Sequence, residues 1–258
     1  MSKKLTVIPN RGGRLGHQFF EWLNLYMFCK KNDITFYHHK FLSNSLNQDE
    51  IFNLSYDEKK FEDYSGETIM IQEMSLNEYL SSDIEDLYVY DFYYPNDRVK
   101  FDWKNDEYRD VLREKYFSDK KESITDTICV HIRRDRMSKL RNKELNKKRY
   151  IDIQYFINIL NELYETYPSY EVKVFSSNVD DSFFEIKKTL YDLSFHIDED
   201  INDSLNTMIN SKILVTSNSG FSFIPSIISN KKNIKICPSN FWLKWPNESI
   251  IKNNIDYV

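Results

Sequence analysis

Between residues 128 and 237 short β-branched runs alternate with amphipathic helical patterns, and that alternation leaves few folds open. Ile128–Ile132, Val172–Ser176, Ile213–Thr216 and Ile234–Cys237 read as strands. Between them Ile151–Tyr167, Asp180–Leu190, Ile201–Asn210 and Phe221–Ile228 read as helices, from apolar residues recurring at helical spacing. Consecutive strands separated by helices must run parallel, because no tight turn can join parallel neighbours. In sheets of this kind ligands gather beyond the carboxyl ends of the strands. His131, Ser176 and Ser217 each fall at such an end.

The first half repeats the rhythm less clearly. Leu5–Ile8 reads as a strand closed by Pro9, Asn10–Gly16 as a loop, Gln18–Lys31 as a helix and Thr35–Tyr37 as a second strand. Strand-like islands follow at Thr68–Ile71 and Leu87–Tyr90, in a stretch rich in Asn, Ser, Asp and Glu. Asp106–Tyr116 reads as a helix linking two halves. The boundary is set near residue 118, giving lobes 1–118 and 119–258, with no internal repeat.

Glycine use narrows the search for a site. The chain has only five glycines: Gly12, Gly13 and Gly16 share one loop, Gly220 sits in a Ser-Asn-Ser-Gly turn, and Gly66 stands elsewhere. Such economy places glycine where backbone bends sharply or approaches a ligand. The apolar run Ile128-Cys129-Val130 delivers His131-Ile-Arg133-Arg134, a histidine and two guanidinium groups at a strand exit. Arginine presents a fixed fork of donors that matches phosphate oxygens two at a time. In an alternating strand His131 and Arg133 share a face while Arg134 points away. Arg133 is therefore the expected phosphate contact, with Arg134 bracing against carboxylates.

Two further motifs flank helix starts. Gly12-Gly13-Arg14-Leu-Gly16-His17-Gln18 and Ser217-Asn-Ser219-Gly220-Phe221-Ser222 each precede a helical pattern. Unpaired amides and the positive end of a helix dipole favour an anion there. His17 either takes a proton from a sugar hydroxyl or hydrogen-bonds across the cleft between lobes. Asp198-Glu199-Asp200 reads as a solvated loop, with a metal-binding acidic triplet as the weaker alternative, and His38-His39 reads as surface polarity, since no third ligand has suitable spacing. No metal is expected.

Bulk properties exclude other classes. With 258 residues, 41% hydrophobic and 16% aromatic, the chain has ample core for two small domains. A net charge of −5 argues against a nucleic-acid binder, although a local basic run lies between Arg133 and Arg149. That run is either a solvated face or an anion-attracting surface. Three widely spaced cysteines suit a reducing compartment. No apolar stretch approaches the ~20 residues of a membrane span. The expectation is a cytoplasmic protein with at most a peripheral hold on a membrane.

Taken in order, these motifs resemble the α-1,2-fucosyltransferases of glycosyltransferase family 11 and their α-1,6- and protein O-fucosyltransferase relatives. Gly13-Arg14-Leu-Gly-His17-Gln-Phe19 is similar to the family's Gly-Arg-Leu-Gly-Asn-Gln, and His131-Ile-Arg-Arg134 to its His-x-Arg-Arg-x-Asp core. Phe175-Ser176 falls where the family has Phe-Ser-Asp, and Ser217–Ser222 resembles Ser-Asn-Ser-Ser-Phe-Ser. The resemblance implies a GT-B-like α/β fold of two Rossmann-like lobes with a cleft between them. It implies an acceptor-side N-terminal lobe and a donor-binding C-terminal lobe. The donor would be GDP-β-L-fucose, the acceptor a glycan with a galactose-like hydroxyl, the outcome inverting, with no cofactor and no metal.

On that resemblance Arg133, His17 and His131 are the candidate catalytic residues. Gly13, Arg14, Arg133, Arg134, Ser176, Asn178, Asp203, Ser219, Gly220, Phe221 and Ser222 are the candidate donor-binding residues. Three positions depart from the pattern: His17 replaces asparagine, Asp135 precedes its expected place, and Ser177 stands where an aspartate would read guanine. Ser177 leaves the donor base open, so the alternatives are another nucleotide sugar or a catalytically silent binding protein.

Overall fold

The structure is a computed structural model describing residues 3–7, 15–39, 52–66, 68–71, 76–83, 87–90, 106–134, 150–240, 245–246 and 248–252. The chain divides into two compact units, Met1–Lys120 and Lys121–Val258. Both are α/β units whose strand pairs are all parallel.

In the first unit β1 (Lys4–Val7), β2 (Thr35–His38), β3 (Lys59–Lys60), β4 (Thr68–Ile71) and β5 (Leu87–Tyr90) form a sheet ordered β3-β2-β1-β5-β4. Helix α1 (Leu15–Lys31) crosses from β1 to β2; α2 (Leu76–Ser81) and α3 (Asp106–Tyr116) are the other α-helices among the described residues of this unit. Helix α3 belongs to this unit rather than bridging the two. Residues 18–25 of α1 are buried without a break, so the helix is enclosed on every side in its middle turns. Lys30 and Lys31 in its last turn complement the dipole, and Asp33 turns the chain with φ of 53°, a left-handed conformation that Asp tolerates.

The reading of His38 as surface polarity is corrected here. Strand β2 alternates half-buried and buried positions, which puts His38 on the same inward face as Phe36. The indole N–H of Trp22 donates to His38 Nδ1 at 3.0 Å. His38 is therefore a buried core residue held by that bond.

The second unit holds β6 (Thr125–His131), β7 (Glu171–Ser176), β8 (Leu193–Ile197), β9 (Ser211–Val215), β10 (Ile234–Pro238) and β11 (Ile250–Lys252). Their order is β11-β10-β9-β6-β7-β8. Counted from β6, this is the doubly wound order 3-2-1-4-5-6 read from the other edge, with its switch point between β6 and β9. Among the described residues three helices serve the sheet: α4 (Ile153–Tyr164), α5 (Ile201–Asn210) and α6 (Gly220–Ile228). Asp152 caps α4 by accepting from the Gln154 N–H, and Asp200 caps α5 by accepting from Asn202 and Asp203.

From Thr127 onward strand β6 is buried on both faces, and its period of two sorts its side chains. Ile128, Val130 and Ile132 join one core cluster with Tyr155, Phe156, Ile159 and Leu160 of α4. Between them, Cys129 lies 3.7 Å from the Thr207 carbonyl of α5, and the His131 ring meets Phe221 of α6. The sequence in this way fixes which residues leave the strand toward α6.

The segment expected to be a helix over 180–190 is instead a 3₁₀ turn over Phe183–Lys188. Phe183 and Ile186 are fully buried and Thr189 nearly so, a spacing of three that matches the 3₁₀ repeat. An α-helix would have turned Lys187 and Leu190 inward; Leu190 is 60% exposed. No described helix is long and apolar enough to cross a membrane.

Candidate active site

The carboxyl ends of β6 and β9 carry the two richest motifs. Their backbones pair in register as far as Val130 and Val215, and Ile132 then follows β7 by donating to the Phe175 carbonyl at 2.9 Å. Thr216 follows the other neighbour, its N–H donating to Ile236. The pairing between the two strands ends at this point, the opening at which doubly wound sheets seat their ligands.

Two side-chain links cross that opening. His131 Nδ1 lies 2.9 Å from Ser217 Oγ, with both residues buried. Two residues further along each segment, half-buried Arg133 donates from Nη1 to Ser219 Oγ at 3.4 Å. Residues 131 and 133 thus share a face, as alternation requires, and that face meets the turn before α6.

The turn itself is closed internally. Ser219 caps α6 by accepting from the Phe221 N–H, and its own N–H donates to the Ser217 carbonyl at 2.7 Å. The fully buried Ser222 hydroxyl accepts from the Ser217 N–H at 3.3 Å and reaches the carbonyl oxygens of Ser217 and Ser219. Ser222 therefore holds the turn's shape, while Gly220 and Phe221 remain half-buried in the first helical turn.

The helix ends differ electrostatically. Helix α5 has an aspartate cap and Asp203 in its first turn, so its positive end already meets negative charge. Helix α6 has a neutral serine cap and no acid in its first turn. Its dipole, with Arg133 beside it, favours an anion from outside.

A second cluster lies behind Arg133. Arg134 is buried, its guanidinium 4.2 Å from the Tyr150 ring centroid and its Nε 2.6 Å from Asp180 Oδ2. That contact is an ion pair without the alignment of a hydrogen bond. Nη1 donates to the carbonyls of Arg133 and Ile151 at 3.1 and 3.3 Å. Arg134 is thus committed to internal partners and holds the main chain of Arg133. At the end of β7, Ser176 Oγ donates to the Asn178 carbonyl, and exposed Ser177 donates to the Arg134 carbonyl at 3.1 Å.

Other expected site residues stand apart. Asp203 is exposed, with its N–H on the Asp200 cap. Within 198–200, Asp200 caps a helix and Glu199 lies 2.8 Å from His196 Nδ1. Among the described residues no group of three or more His, Cys, Asp or Glu is placed to hold a metal ion. His17 falls in the first turn of α1, and Gly13, Arg14 and the basic run beyond Arg134 lie outside the described residues. Ser217, Tyr150 and Asp180 enter the site without having been singled out as site residues. Ser217 was visible within its motif; nothing local distinguished Asp180 from the acids around it.

Residues 3–256 match the family model described as Glycosyl transferase family 11. A crystal structure of POFUT1 in complex with GDP-fucose aligns over 96% of this chain and 98% of that one, at 14% identity and a TM-score of 0.51. The E. coli heptosyltransferase WaaC with ADP aligns over 97% and 93%, at 6% identity and 0.52. The E. coli ADP-heptose LPS heptosyltransferase II aligns over 97% and 90%, at 11% identity and 0.52. The likeness is one of fold: parallel-sheet α/β architecture of the GT-B class. A comparison with curated proteins gave no match.

Proposed function

From the premise that the chain belongs to glycosyl transferase family 11, we propose that it moves L-fucose from GDP-β-L-fucose to a galactose-like hydroxyl, forming an α-1,2 linkage with inversion. The observation that carries this reading is Arg133 beside Ser219 at the acid-free start of α6, at the switch point of the second unit. POFUT1 has been crystallised with GDP-fucose and WaaC with ADP, so chains of this fold accept nucleoside diphosphates.

The chemistry follows from where charge develops. As the anomeric carbon–oxygen bond breaks, the electron pair stays with the diphosphate and raises its negative charge. The Arg133 guanidinium and the first amides of α6 stabilise that charge more in the transition state than in the bound donor. They supply by fixed positive charge what a metal would otherwise supply, so the proposed reaction needs no metal and no cofactor. The acceptor hydroxyl attacks from the face opposite the leaving group, which inverts the centre and releases one proton. His17, in the first turn of α1, is our candidate to take it. Buried, unpaired Cys29, Cys129 and Cys237 fit the proposed cytoplasmic setting, with O-antigen or related glycans as products.

Purified protein with GDP-fucose and a panel of galactosides should release GDP at the same rate with and without EDTA. Arg133→Ala should lower turnover about 10²–10³-fold, the usual cost of removing one donor to a developing oxyanion. Full turnover in that variant removes Arg133 from the mechanism. A second reading keeps the site and changes the base, because Ser177 places a hydroxyl at the end of β7 and commits it to the Arg134 carbonyl. Tighter binding of UDP or dTDP than of GDP in calorimetric titration would select that reading.

A further inference from the structure

We propose that His131 and Ser217 act together as a positioning strut that sets the width of the diphosphate site, rather than as reacting groups. The proposal rests on the donor-site reading above and adds a role for two residues within it. Beyond Val130 and Val215 the β6 and β9 backbones follow different neighbours, so backbone pairing no longer sets their separation. The His131–Ser217 bond, 2.9 Å long and joining residues 86 apart in sequence, crosses the gap just past the last paired residues.

Everything on either side is tied to that bond. On one side the main chain runs from His131 through Ile132, which is anchored to β7, to Arg133, whose carbonyl is held by Arg134. On the other, both main-chain polar groups of Ser217 are engaged by the Ser222 hydroxyl, and its carbonyl also accepts from Ser219. Moving Ser217 therefore moves the cap and first turn of α6 as one piece. The strut fixes how far the Arg133 guanidinium stands from the amides at the start of α6, the two groups that must reach one diphosphate together. Contact between the His131 ring and Phe221, at 5.3 Å between centroids, holds the imidazole in the plane that the bond requires.

The operative atom is Nδ1, and that makes the proposal testable by isosteric replacement. An asparagine amide places a polar atom where Nδ1 stood, whereas glutamine places one where Nε2 stood. The experiment titrates GDP into wild type, His131→Ala, His131→Asn, His131→Gln, Ser217→Ala and the His131→Ala/Ser217→Ala double variant. It also measures kcat and KM for GDP-fucose, with thermal unfolding alongside. The expected result is about a tenfold loss of GDP affinity in either alanine variant, with KM rising more than kcat falls. No further loss appears in the double variant, as coupled groups require. His131→Asn recovers most of the affinity; His131→Gln does not.

A hundredfold fall in kcat in His131→Asn with GDP affinity preserved overturns the proposal and makes His131 a reacting group. Unchanged GDP affinity in both alanine variants also overturns it. Should the alanine variants unfold, His131→Asn against His131→Gln decides alone: equal affinities contradict the strut. If wild type fails to bind GDP, the donor-site reading falls with the strut. Affinity that depends on Arg133 but not on residues 131 and 217 sinks the strut only.

Discussion

Removing the carboxylate of Asp180 should expose how much the main chain of Arg133 depends on the cluster behind it. Arg134 is an enclosed cation, with a 4% exposed side chain, and Asp180 is its acidic partner among the described residues. Deleting one member of a buried ion pair costs about 3–5 kcal/mol, because the other charge is left without compensation. Asp180 is 35% exposed, so water reaches the acid's side of the pair and the cost for Asp180→Ala falls to about 2 kcal/mol. The Arg133 and Ile151 carbonyls and the Tyr150 ring remain to hold the guanidinium and prevent a larger loss. For a chain of this size that corresponds to a drop of ~4–8 °C in thermal midpoint. Asp180→Asn, which keeps a polar oxygen but no charge, should lose roughly half as much. Urea denaturation gives the free energy, and GDP titration shows whether Arg133 has shifted. A change in stability below about 0.5 kcal/mol, the range of ordinary surface substitutions, refutes the claim that Asp180 holds Arg134 in place.

Two other perturbations follow from buried groups. Lys235 is fully buried and donates to the Asn230 carbonyl and to Glu248, whose side chain is 28% exposed. Glu248→Ala should therefore destabilise by about 2–3 kcal/mol and more than Lys235→Met, since only the former strands a buried charge; equal losses in urea denaturation contradict this. Burial pushes the thiols of Cys129 and Cys237 up to about 12 and that of Cys29 higher still, from an ordinary value near 9. The folded chain keeps these protons where the unfolded chain gives them up. Their contribution is complete below pH 9 and is lost as pH rises toward 12, at about 1.4 kcal/mol per pH unit for each thiol. Urea midpoints between pH 8 and 10.5 should fall accordingly, and Cys129→Val should flatten the slope; an unchanged slope in that variant refutes the assignment.

The parts of the fold that were legible in the sequence are those where one physical signal dominates. Strand β6 could be read because a strand buried on both faces must be apolar throughout, and its exit was marked by the sudden polarity of His131-Ile-Arg-Arg134. Alternation alone then placed His131 and Arg133 on one face; that this face meets the turn before α6 is a tertiary fact. Strand β8 was not recognised, because Leu193-Ser-Phe-His-Ile is an edge strand with every position half-buried, so no face shows in its pattern. The 3₁₀ turn at Phe183–Lys188 was taken for an α-helix because Phe183 and Ile186 satisfy either period, and only the exposure of Leu190 separates them. His38 was misread because polarity was weighed above its alternation with Phe36. In the site, the hydroxyls of Ser217 and Ser222 were visible as a motif, but which of them faces outward depends on hydrogen bonds within the turn. The pairing of Arg134 with Asp180 and Tyr150 joins segments far apart in sequence, and no local pattern announces it.

The measurement that bears most directly on the central claim compares GDP with guanosine on wild type and Arg133→Ala by calorimetric titration. With the guanidinium acting on the diphosphate, GDP affinity falls at least tenfold in the variant while guanosine binds both proteins alike. Equal GDP affinity in the two proteins, or an equal loss for guanosine, contradicts a diphosphate site at the start of α6.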